Sequence, residues 1–277
     1  RAIKKHWIFV SPKGLRIRIQ CKNPPGGGHS ILSRIFYHVQ GPLSRKRVAG
    51  CQCIWYNTCI TKKGEKLQMA FDYKKEYKEF YLPKNKPAIV TIPPMNYLAV
   101  RGKGDPNEKG GEYKAAVGVL YALAYTLKMS YKTGYAIDGF FEYVVPPLEG
   151  FWWSENGAVD FRDKSAFQWI SAIRLPDFVG EKDFRWAVEE ASRKKKLDCS
   201  AAFFYTLEEG TCVQMLHLGS YDSEPASLEA MDAFARETGF VLDLSQTRRH
   251  HEIYLSDPRK SPPEKWKTVL RHPIRKA

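Results

Sequence analysis

The chain has 277 residues, 43% hydrophobic and 27% charged, which supplies a proper core and excludes wholesale disorder or a fibrous chain. It has no run of 18 apolar residues, which argues against a membrane-spanning helix. The net charge of +14 suggests a nucleic-acid partner, but 14 of the 44 basic residues and only one of the 30 acidic ones, Glu65, lie in residues 1–68. Residues 69–277 are nearly neutral, so no global basic field steers that part of the chain to phosphate backbones.

Residues 1–64 contain no Asp or Glu, carry Pro24-Pro25-Gly26-Gly27-Gly28 and Arg45-Lys46-Arg47, and show no sustained apolar period. An acid-poor transit segment and a basic nucleic-acid arm are open readings of this stretch. The compositional break favours a third: residues 1–68 are a disordered or non-native tail, and the protein proper runs from Met69 to Ala277. Cys51, Cys53 and Cys59 lack the second paired ligand set of a zinc site. Only Cys199 and Cys212 remain beyond the tail, which is no disulfide framework and suits the cytoplasm.

From Pro87 the elements follow in order. Residues 87–92 and 95–100 read as β-branched, apolar strands separated by Pro93-Pro94, and Gly102-Lys103-Gly104-Asp105-Pro106 reads as a loop. Tyr113, Ala116, Val117, Leu120, Tyr121, Ala124 and Leu127 form one face of a helix over 111–129. Residues 137–145 and 169–175 read as strands. Glu181 opens a second helix whose last turn, Lys194-Lys195-Lys196, suits the negative end of its dipole. Residues 211–218 form a strand ending at Gly219, and a third helix is framed by Pro225 and Gly239. Residues 252–255 close the series as a short strand. Each half reads strand, helix, strands, which predicts an α+β domain of two related halves on a mostly antiparallel sheet.

Hydrolase-elbow, zincin and Walker signatures are absent, and no metal or cofactor is expected. His250 and His251 are adjacent, and in a strand they point to opposite faces and cannot share a metal. What stands out is aromatic supply beside few carboxylates: Phe151-Trp152-Trp153, Tyr121 and Tyr125 four apart on one helix, Trp169, and Tyr254 two residues from Glu252. An aromatic-walled pocket with one carboxylate suits planar or cationic ligands. Core packing is the competing reading for each ring, and a surface or Arg-paired carboxylate for Glu252. His217 alternates with Met215 and Val213, as a satisfied core or rim histidine does.

The stretch His250-His251-Glu252-Ile253-Tyr254-Leu255-Ser256-Asp257-Pro258-Arg259 closely resembles the closing strand of GyrI-like small-molecule-binding domains. Pro147-Leu148-Glu149-Gly150-Phe151-Trp152-Trp153, Leu175-Pro176-Asp177-Phe178 and Gln214-Met215-Leu216-His217-Leu218-Gly219-Ser220-Tyr221 match in the same order, so the resemblance spans 69–277. It implies a duplicated strand–helix–strand–strand fold of the SHS2 type, with Glu252 at the base of a pocket between the halves. The chain resembles most the stand-alone members that hydrolyse cyclopropanoid genotoxins within an aromatic cage. That implies xenobiotic detoxification, with Glu252 as general base and Tyr121, Tyr125, Trp152, Trp153, Trp169, His217 and Tyr254 as ligand-binding candidates. A non-catalytic protein that sequesters or senses small molecules is the alternative, and nucleic-acid binding rests on residues 1–68 alone.

Overall fold

The computed structural model describes residues 70–154 and 163–277, and before residue 70 only the backbone of five short strands. Two units are distinguished, Arg1–Trp55 and Tyr56–Ala277. The first contains the antiparallel strands β1 (His6–Val10), β2 (Arg16–Cys21) and β3 (Ile35–Val39). The second opens with the hairpin of β4 (Thr58–Ile60) and β5 (Lys66–Gln68). The expectations of disorder or non-native origin for residues 1–68 otherwise lie outside the described residues.

The rest of the second unit is α1 (Tyr73–Glu76), α2 (Lys78–Tyr81), β6 (Ala88–Ile92), β7 (Met95–Lys103), α3 (Glu112–Lys128), β8 (Leu148–Trp153) and β9 (Gln168–Arg174). It continues with α4 (Glu181–Lys195), β10 (Ala202–Leu207), β11 (Gly210–Leu218), α5 (Glu224–Glu237), β12 (Phe240–Leu242), β13 (His250–Tyr254) and β14 (Lys267–Lys276). The sheet order is β10-β7-β9-β8-β13-β14-β11-β6, antiparallel throughout, with β12 also paired to β14. Two strand–helix–strand–strand units, β7-α3-β8-β9 and β11-α5-β13-β14, therefore meet at the β8–β13 pair, and each strand has its counterpart the same number of places from that centre.

The ends of this order are not far apart. Pro93-Pro94 joins β6 to β7, and Glu208-Glu209 joins β10 to β11, yet each pair of joined strands stands at opposite ends of the sheet. Two-residue links span at most about 10 Å, so the sheet curls until its edges approach.

The three long helices cover one face of the curl, and α1 and α2 pack on the other. α3 and α4 pack through Leu120, Leu123, Leu127, Phe184 and Ala187 on Leu98, Trp152, Trp169 and Ile173. α5 packs through Leu228, Met231 and Ala235 on Val213, Met215 and Leu270. Each such large side chain, fully buried, contributes roughly 1.5–3 kcal/mol. Helix ends follow the chemistry of the sequence: the Gly180 N–H donates to Asp183 Oδ2 at 2.9 Å at the start of α4, and Gly239, at φ +80°, takes the left-handed turn after α5.

Residues 137–145 depart from the expected strand. They form a turn and an irregular segment, with a single bridge between Tyr143 and Phe71. Gly139 sits at φ +75°, which breaks an extended run. The apolar residues that suggested a strand instead wedge against Phe178, at centroid distances of 5.5 Å for Phe140 and 4.9 Å for Phe141.

Candidate ligand site

Strand β13 carries His250, Glu252 and Tyr254 on the helix-covered face, by the two-residue alternation of a strand. Glu252 stands opposite Gly150 of β8, which stands opposite Ser171 of β9. Beside the carboxylate the sheet thus presents two small residues, and larger side chains pack over and around them. Trp152 faces His250 on one side and Trp169 on the other. The Trp152 indole N–H donates to the Tyr254 hydroxyl at 3.0 Å. Tyr113 of α3 leans on both tryptophans, 5.4 Å from Trp152 and 5.1 Å from Trp169. Tyr221 meets Tyr254 edge-on at 5.9 Å and also packs against Trp266.

Glycine is required at two places here. A Cβ on Gly150 would strike Trp152 Nε1 and the Tyr254 hydroxyl, and one on Gly102 would strike the Trp169 ring.

The electrostatics centre on Glu252, 7% exposed. Its Oε1 lies 2.9 Å from His250 Nε2, and His250 Nδ1 lies 2.8 Å from His272 Nε2. His272 Nδ1 is 3.7 Å from Asp232 Oδ1. Burial, then the neighbouring His250, holds the His272 imidazole below its ordinary range, so it is neutral near pH 7. Glu224, at the start of α5, is 1% exposed, and burial followed by the Glu252 charge pushes its carboxyl well above the usual range. Burial and Glu252 likewise raise the Tyr113, Tyr221 and Tyr254 hydroxyls, which stay protonated and able to donate. The donor atoms of Glu224, His250 and Glu252 all lie within 4.8 Å of one another.

The sequence matches the GyrI-like small molecule binding domain over residues 85–275. The chain belongs to the GyrI-like family. A hydrolase from Listeria innocua is similar over 74% of this chain and 100% of its own, at 47% identity and a TM-score of 0.68. A hydrolase encoded by lin2189 of Listeria innocua shows 47% identity over 75% and 100% at a TM-score of 0.69. An uncharacterized conserved protein of Listeria innocua shows 48% identity over 74% and 100% at 0.70. No curated protein matches.

On this GyrI-like scaffold Glu252, Tyr254, Trp152 and Trp169 come together. The other candidates fall elsewhere. Trp153 lies on the opposite face, under Arg249 at 4.2 Å and Arg101 at 5.7 Å. Tyr121 and Tyr125 lie on the outer side of α3, 38% and 49% exposed. His217 shares the Glu252 face but sits on β11, two strands or about 10 Å from Tyr254. Its ring is held by Ser227 Oγ at 2.9 Å and by the Ser220 carbonyl at 3.0 Å. Sequence reasoning passed over Tyr113, Tyr221, Glu224, His250 and His272. For His250 the signal was present, since it alternates with Glu252 and Tyr254. Glu224 and His272 come from distant segments that only the fold brings in.

The opposite face of β13 is also polar. His251 lies 2.9 Å from Glu209 Oε1 and 3.0 Å from Glu149 Oε2, and Arg271 donates to Glu209 Oε2 at 2.8 Å and to the Phe80 carbonyl at 2.9 Å. Burial disfavours each charge here, but the partners outweigh it. The His251 imidazole is raised, chiefly by Glu209, and the Glu209 carboxyl is lowered to about 2, chiefly by His251 and Arg271. This closed ion cluster inside the curl ties β13, β14 and the β10–β11 link together. Among the described residues no helix is long and apolar enough to cross a membrane, and both cysteines are free and buried.

Proposed function

We propose that this GyrI-like protein binds planar aromatic xenobiotics against Trp152, Tyr113, Tyr221 and Tyr254, and hydrolyses the cyclopropane of DNA-alkylating cyclopropanoids with Glu252 as general base. The observation that carries this reading is the position of Glu252: a buried carboxylate beside Gly150 and Ser171 with the aromatic side chains of Trp152, Tyr254, Tyr113 and Tyr221 around it. The similar Listeria innocua hydrolases support the reaction class.

The warhead is a cyclopropane conjugated to a cyclohexadienone. Water oxygen attacks the strained ring carbon, the ring C–C bond breaks, and its electron pair moves through the dienone to leave a phenolate. Glu252 accepts the proton released by the water and returns it through solvent to the phenolate, so the net change is addition of one water. Restoration of the aromatic ring makes the step downhill, so the protein mainly has to hold a flat ligand and deliver a water. Tyr113 and Tyr221 keep their hydroxyl protons and can donate to the dienone oxygen as it gains charge, whereas the Tyr254 hydroxyl is engaged with Trp152 and Glu252. His217, engaged with Ser227 and Ser220, is less suited to that role.

The test is incubation of the full chain with a yatakemycin-type cyclopropanoid, followed by liquid chromatography and mass spectrometry. Repeated turnover to the one-water adduct supports hydrolysis. Drug taken up to one equivalent and recovered unchanged replaces it with sequestration.

A further inference from the structure

We propose that Glu224, His250 and Glu252 form a site for one divalent transition-metal ion of the zinc class. Two separate segments, the start of α5 and strand β13, bring one imidazole and two carboxylates together, with all three donors within 4.8 Å of one another. Two donors that share an ion bound at about 2.0–2.2 Å lie roughly 3–3.5 Å apart, and His250 Nε2 and Glu252 Oε1 already stand at 2.9 Å. All three side chains are buried, at 1%, 1% and 7% exposed for Glu224, His250 and Glu252.

A second observation points to a ligand. Glu224 Oε1 is buried and has no hydrogen-bond partner. A carboxyl oxygen stripped of water and left unpaired is costly, and an ion beside His250 and Glu252 satisfies it. The cation acting on Glu224, Lys164, is itself bonded to Asp222 at 3.2 Å.

The surroundings of His250 fit ligation too. When its Nδ1–H donates to His272 Nε2 at 2.8 Å, its Nε2 presents a lone pair to the two carboxylates. Metal-bound histidines are oriented by such a bond from the other ring nitrogen. One imidazole with two carboxylates suits zinc or cobalt, whereas magnesium favours an all-oxygen shell. The ion also occupies the oxygen that the proposed general base uses, so zinc inhibits the hydrolysis. That last consequence rests on the proposed function, and the binding itself does not.

The experiment titrates chelator-stripped full-length protein with zinc chloride by calorimetry and with cobalt chloride by absorption, for wild type, Glu224→Gln, His250→Gln and His272→Gln. Circular dichroism checks that each variant is folded. Cobalt separates this site from Cys21, Cys51, Cys53 and Cys59 of the tail, because thiolate ligands add intense charge-transfer bands that imidazole and carboxylate do not. Expected is one equivalent without those bands in wild type, weakened at least tenfold in Glu224→Gln and His250→Gln, and about 10–100-fold in His272→Gln, which leaves all three ligands in place. Superimposable titrations of wild type and variants, or thiolate-type spectra alone, overturn the proposal. Metal binding without cyclopropanoid turnover overturns the hydrolase reading and leaves the metal site standing.

Discussion

Glu252 faces Gly150 in register across the central strand pair, so the carboxylate of β13 stands beside the one position of β8 that has no side chain. This pairing lies where the two halves of the duplicated fold meet, and the space it leaves is what the bond between Trp152 and Tyr254 closes over.

Gly150→Ala should disrupt that arrangement, because the added methyl meets Trp152 Nε1 and the Tyr254 hydroxyl. Overpacking of this kind costs about 1–3 kcal/mol. Urea unfolding should show the loss, and ligand affinity should fall with it. Unchanged stability and affinity would mean that position 150 tolerates a side chain.

Tyr254→Phe removes the acceptor for the Trp152 indole N–H. A buried donor left unpaired costs about 1–3 kcal/mol. Thermal unfolding should register this, and Trp152 fluorescence should shift as the ring loses its anchor.

The two adjacent tryptophans should behave differently. Trp152 lies among the rings around Glu252, whereas Trp153 lies on the other face under Arg249. Trp152→Phe should weaken binding of a planar ligand about tenfold. Trp153→Phe should leave affinity within twofold and lower stability through the lost stacking, about 0.5–2 kcal/mol. Equal effects on affinity would contradict the assignment of faces.

Sequence separated these two residues only in principle. Alternation says that Trp152 and Trp153 point opposite ways, but not which of them shares a face with Glu252, because that depends on the register between β8 and β13. The helix over 111–129 and the one framed by Pro225 and Gly239 were legible because their apolar period and end residues agree. The strands β10, β12 and β14 were not recognised. In β14, Arg271, His272 and Pro273 interrupt the apolar pattern, and the fold buries all three. Tyr121 and Tyr125 have helical spacing suited to a shared wall, yet α3 turns its other side to the sheet. Glu252 and Tyr254 were legible because two residues on one short strand need no tertiary knowledge to share a face.

The cluster behind β13 predicts a bounded pH range of stability. Glu209 is lowered from 4.5 to about 2 by His251 and Arg271 against the cost of burial, so its contribution is present above pH 4.5 and is lost as pH falls toward 2. His251 is raised above its ordinary 6.5, so its contribution is present below pH 6.5 and is lost as pH rises through its folded value. Together they favour a maximum between pH 4.5 and 6.5. Glu209→Gln should cost about 3–5 kcal/mol in that range and flatten the acid limb, as read by urea unfolding across pH. A parallel downward shift at every pH would show that Glu209 does not titrate as described.

The central claim is that Glu252 takes a proton rather than merely holding a ligand. The direct measurement compares wild type with Glu252→Gln on one cyclopropanoid, with affinity read from tryptophan quenching and turnover from formation of the one-water adduct. A general base predicts affinity within about threefold and turnover lowered at least 100-fold, in line with the 10²–10⁴-fold that such catalysis supplies. Turnover that survives the substitution, or affinity that collapses with it, would contradict the account and leave Glu252 as a binding group.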